Sequence, residues 1–64
     1  MNEKAKAPRW LGEFWNPKSA WRFSDRTDKP SAVVLGDDGR YWVVDMATFV
    51  RLLRAGYQAV PRHG

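Results

Sequence analysis

Two apolar runs separated by a polar turn dominate the pattern of the chain: Ser31-Ala32-Val33-Val34-Leu35 and Arg40-Tyr41-Trp42-Val43-Val44, joined by Gly36-Asp37-Asp38-Gly39. β-Branched and aromatic residues on either side of a Gly/Asp cluster predict a β-hairpin. Two turn geometries fit it. A two-residue type I′ turn at Asp38-Gly39 sets Leu35 opposite Trp42 and Val33 opposite Val44 on one side, with Val34 opposite Val43 on the other. A loop from Gly36 to Gly39 with the two aspartates at its tip shifts that register by one residue.

The apolar period then changes from that of a strand to that of a helix. Asp45 ends the second strand and is placed to cap a helix, its carboxylate accepting from the amides of Ala47 or Thr48. Over 46–55, Met46, Phe49, Val50 and Leu53 recur at i, i+3, i+4 and i+7, which predicts a buried stripe broadened by Leu52, with Arg51 and Arg54 towards the outside. Gly56 suits the left-handed position that follows a helix, and Tyr57 supplies the apolar contact that goes with such a stop. Residues 57–60 predict a short last strand, closed by Pro61.

Both faces of the hairpin are apolar, whereas a sheet covered on one side alone shows polar residues on the other. Either the helix covers one face and the segment 10–23 the other, or one face is left open for a partner. The first is the expectation, because a small core needs large rings to close it. Within the segment, Trp10 with Phe14 and Leu11 with Trp15 are four apart, which predicts one or two turns of helix weakened by Gly12 and ended by Pro17. Trp21-Arg22-Phe23 alternates like a short strand, and 24–30 is a polar loop.

The expected fold class is therefore α+β: a small three-stranded antiparallel sheet, four-stranded if 57–60 joins it, with one C-terminal helix packed across it and an aromatic N-terminal segment on the remaining surface. Residues 1–9 read as a flexible basic arm, 10–61 as a single domain and 62–64 as a frayed C-terminus. The expected core is Trp21, Phe23, Val33, Leu35, Trp42, Val44, Met46, Phe49, Val50 and Leu53.

Composition narrows the chemistry. Nine aromatic residues, four of them tryptophan, stand among 64. With no cysteine, disulfides and thiolate metal sites are excluded. No apolar run approaches the ~18 residues of a membrane span, and the first residues lack the apolar middle of a signal peptide, so no membrane is expected and the cytoplasm is the default. The net charge of +4 is uneven: residues 1–30 carry seven Lys or Arg against four acids, residues 31–64 four against three. An acidic partner is thus met mainly by the first half.

Groups for catalysis are scarce, and the chain is expected not to be an enzyme. His63 is the one histidine and sits next to the last residue, where nothing holds it within reach of a target. Asp37 and Asp38 are explained by the hairpin turn and lack the further oxygen ligands of a calcium loop. Gly36 and Gly39 do not have the spacing of a phosphate loop. No cofactor and no metal are expected.

Two binding functions remain. Tryptophan and arginine dominate interface hot spots, and Arg9, Trp10, Phe14, Trp15, Lys18, Arg22, Arg26, Lys29, Arg40 and Tyr41 provide rings and cations for docking on an acidic protein surface. The same interleaving of cations and rings, with a sequence pI near 10.0, would serve nucleic-acid binding by phosphate contact and base stacking. Against it stand seven acids and the absence of a helix-turn-helix, zinc-finger or aromatic ribonucleoprotein motif. The segment GRYWVVDMATFVRLLRAGY resembles, in its economy, the small accessory proteins that phages and plasmids encode. That resemblance implies an adaptor or inhibitor acting on a larger protein, and protein binding is the expected function.

Overall fold

The computed structural model describes residues 11–62. In chain order its elements are β1 (Gly12–Phe14), α1 (Pro17–Arg26), β2 (Ser31–Leu35), β3 (Tyr41–Asp45), α2 (Met46–Arg54) and β4 (Gln58–Ala59). The strands form one antiparallel sheet of four in the order β1-β3-β2-β4. The fold is α+β, with two helices rather than one.

The central hairpin takes the second of the two registers. Val33 stands opposite Val43, Val34 opposite Trp42 and Leu35 opposite Tyr41, so the Leu35–Trp42 pairing does not form. The Gly36 amide donates to the Arg40 carbonyl at 2.7 Å and the Gly39 amide to the Gly36 carbonyl at 3.1 Å. This leaves residues 37–39 as the loop. Gly39 takes the positive φ, +85°, which follows a tight turn without side-chain hindrance. Asp38 completes it by accepting from the Arg40 amide at 3.0 Å.

Alternation along these strands divides the core in two. Val34, Trp42 and Val44 face one way and pack with Leu52, Phe49 and Tyr57. Val33 and Val43 face the other way and pack with Ala20, Phe14, Trp21, Phe23, Tyr41 and Val60. Each face of the sheet is covered by one helix, α2 on the first and α1 on the second. The doubly apolar hairpin thus has two covers, and four valines, Val33, Val34, Val43 and Val44, are fully buried between them.

The aromatic segment reaches that arrangement with other elements than its spacing suggests. Residues 12–14, expected as helix, are an edge strand with Gly12 opposite Val43 and Phe14 opposite Tyr41. Trp21 and Phe23, expected on a strand, belong to α1. The reason lies at Asn16-Pro17. Asn16 caps α1, its side chain accepting from the Ser19 amide at 2.8 Å. Proline at the first helical position costs nothing, since its missing N–H would have no partner there. Pro17 therefore begins a helix instead of ending one.

In α2 the cap and stop fall where expected. Asp45 accepts from the Thr48 amide at 2.8 Å. At the other end Gly56 has φ +101°, and the amides of Gly56 and Tyr57 donate to the carbonyls of Leu53 and Leu52, the doubled bond of a Schellman stop. The buried stripe differs. Leu52 is 8% exposed, while Met46, Val50 and Leu53 are 41, 46 and 40% exposed. Asp45 is at once the last residue of β3 and the cap, with no loop between, so the cap sets the helix phase and turns Phe49 and Leu52 to the sheet.

Candidate functional site

The inner side of α1 is made of small residues. Ala20 and Ser24 are buried, which lets the helix lie close on β2 and β3. The Ser24 and Ser31 hydroxyls meet at 2.6 Å, and Thr27 donates to the Ser24 carbonyl at 2.9 Å. The first of these bonds, with that between the Thr27 and Ser31 hydroxyls at 3.1 Å, ties the end of α1 to the start of β2. With its inner side fixed, α1 turns Lys18, Arg22 and Arg26 outwards, all three exposed. At four-residue spacing they form one row, each about 6 Å along the axis from the next. Lys29, in the loop after α1, is exposed as well.

Beside this row Trp21 is half-buried, and its indole N–H donates to the Val60 carbonyl at 3.2 Å. The Arg62 guanidinium stacks over that ring, 4.6 Å from its centre. The same guanidinium grips Asp25 with both its terminal nitrogens, one at 3.2 Å to Oδ2 and the other on Oδ1. The hydrogen bonds and charge of Arg62 hold the Asp25 carboxyl below the usual carboxylate range, and Asp25 raises Arg62 in return. The one acid of α1 is therefore already engaged. Lys18, Arg22 and Arg26 have no ion-pair partner among the described residues. An open cleft of about 530 Å³, with Asn16, Pro17, Lys18, Trp21, Arg22, Asp25 and Arg62 around it, runs along this surface.

A second group forms at β1. Trp15 is 71% exposed, with the Arg40 guanidinium 4.4 Å from its ring centre. Arg40 also pairs with Glu13 at 3.2 Å. Glu13 stands opposite Trp42, which places it on the α2 side of the sheet, away from the basic row.

The structure thus sorts the expected binding residues. Lys18, Arg22 and Arg26 come together on α1, Lys29 follows them, and Trp15 and Arg40 form the separate pair. Phe14 and Tyr41 are half-buried in the core under α1, with Phe14 in tilted contact with Phe23 at 5.3 Å between ring centres. Arg9 and Trp10 lie outside the described residues. Asp25 and Arg62 were not among the expected site residues. They are 37 positions apart, and no local pattern joins them.

Chemically, this surface offers guanidinium and ammonium groups to acidic ligands, with an indole beside them. Among the described residues no group of three or more histidines or carboxylates could hold a metal ion, and no helix is long and apolar enough to cross a membrane. Comparison with family models, with curated proteins and with solved structures found no match.

Proposed function

We propose that this protein is a non-catalytic binding module of the cytoplasm, an adaptor or inhibitor that docks on an acidic surface of a larger protein through the outer face of α1. The observation that carries this reading is the row Lys18, Arg22 and Arg26, left unneutralised because Arg62 occupies Asp25. Such a row steers an acidic partner and fixes its orientation. The indole of Trp21 and the cleft beside it give the partner an apolar contact within the same surface.

Nucleic-acid binding is the weaker reading because no open sheet face presents its rings as platforms among the described residues. Both faces of the sheet are covered by helices, which removes the open aromatic sheet on which bases stack. Trp21 and Trp15 each carry an arginine on the ring. Titration of labelled single- and double-stranded oligonucleotides at about 50 and 200 mM salt separates the two classes. The protein-binding reading expects no saturable binding at the higher salt and no change in tryptophan emission. Tight binding with a steep salt slope, accompanied by quenching of the tryptophans, would overturn it.

A further inference from the structure

Met46, Val50 and Leu53 are four and three residues apart on α2 and 41, 46 and 40% exposed, while Phe49 and Leu52 hold the same helix to the sheet. An apolar row on a surface helix without a cover among the described residues is the half of an interface that a partner helix completes. The rest of the exposed side carries Arg51 and Arg54. Neither has an ion-pair partner among the described residues. Residues 46–54 contain no acid, and Asp45 at their start is bound to the Thr48 amide.

We infer that α2 is a second docking face, and that its occupant is an amphipathic helix of a partner protein whose apolar stripe is flanked by aspartate or glutamate. The apolar row from 46 to 53 covers about 10 Å at 1.5 Å per residue, which is two turns of such a helix. The two arginines supply the choice of charge, because they attract carboxylates at the rim and repel a basic helix that the apolar groups alone would accept. They also disfavour a second copy of this chain, since pairing α2 with α2 gathers four arginines in one contact to which neither helix brings an acid. This face lies across the sheet from α1 and does not rest on the reading of the α1 surface.

The test is titration of the labelled full chain with a synthetic amphipathic peptide of leucine and glutamate, about 14 residues long so that it can form helix, followed by NMR. A matched peptide with lysine in place of glutamate is the control. Saturable shifts at the methyls of Met46, Val50 and Leu53 are expected with the glutamate peptide, and binding at least about ten-fold weaker with the lysine peptide. Val50→Glu should weaken the first by about ten-fold or more. Arg51→Glu with Arg54→Glu, both on exposed positions, should reverse the preference read at those methyls. Equal response to both peptides, silence of those methyls at millimolar peptide, or self-association through them without peptide would overturn the proposal.

Discussion

The indole of Trp42 fills the space that a side chain at position 36 would need. A Cβ on Gly36 would lie 2.6 Å from the indole nitrogen and closer still to two ring carbons. Gly36 is required here for close approach and not for a left-handed backbone, in contrast to Gly39, whose φ is +85° and where an added Cβ would meet nothing within 4 Å. The consequence is a buried tryptophan, 4% exposed, that lies over the end of the hairpin against Tyr57 at 5.6 Å between ring centres.

Gly36→Ala should therefore overpack the α2 side of the core and cost about 1 to 3 kcal/mol, with the melting temperature falling by about 4 to 8 °C per kcal/mol. Gly39→Ala should cost about 1 to 2 kcal/mol through its backbone alone. Thermal melts in a Trp42→Phe background separate the causes. The Gly36→Ala penalty should shrink there, because phenylalanine lacks the crowded atoms, and the Gly39→Ala penalty should not.

The phase of α2 is tested by two neighbouring leucines. Leu52→Ala removes a side chain packed against Val34, Trp42 and Val44 and should cost about 2 to 5 kcal/mol. Leu53→Ala should cost less than about 1 kcal/mol, as at other surface positions. Denaturant melts that ranked the two the other way would show the stripe of Met46, Val50 and Leu53 to be the buried one.

What could be seen in the sequence were the features written in consecutive residues. The hairpin, the Asp45 cap, the Gly56 stop and the short last strand all fall within a few positions of the side chains that cause them. The doubly apolar hairpin also required a second cover, which α1 provides. The nature of that cover was hidden because Trp10, Phe14 and Pro17 mimic a helix and its end, whereas the capping role of Asn16 before a proline points the other way. The buried side of α2 was hidden because two stripes compete on it, and the direct strand-to-helix junction chooses between them. Of the candidate site, Lys18, Arg22 and Arg26 were legible as cations. Their common row needed the helix, and the engagement of Asp25 needed Arg62, which is distant in the chain.

The pairing of Asp25 with Arg62 gives stability a dependence on acid pH. The folded carboxyl is held below its ordinary value, first by the hydrogen bonds of Arg62 and then by its charge. Its contribution is therefore complete above the ordinary carboxylate pKa of about 3.9 and is lost as pH falls through the lower, folded value. Being exposed, the pair should also weaken with salt. NMR titration should show the Asp25 carboxyl rising towards the ordinary value in Arg62→Ala, and an unchanged titration would remove the ion pair from the account.

At alkaline pH the responsible group is Tyr57. Burial of the phenol, and then the charge of Asp37, to which the hydroxyl donates at 3.3 Å, raise it above its ordinary value. A raised group stabilises the fold below its ordinary pKa, about 10 for tyrosine, and loses that contribution as pH rises through the folded value. Melting temperatures followed upwards from pH ~9 should fall in the parent by more than in Tyr57→Phe. Parallel curves would rule out Tyr57 as the source.

The most direct measurement of the central claim is capture from a nuclease-treated lysate by the immobilised protein and by its Lys18→Glu, Arg22→Glu, Arg26→Glu variant. All three positions are exposed, so the variant should fold as the parent does, within about 0.5 kcal/mol per site. The account predicts that the parent retains a set of proteins with acidic surfaces and that the variant loses them. Retention of the same set by the charge-reversed variant, or no retention by the parent of what it captures from the same lysate before nuclease treatment, would contradict it.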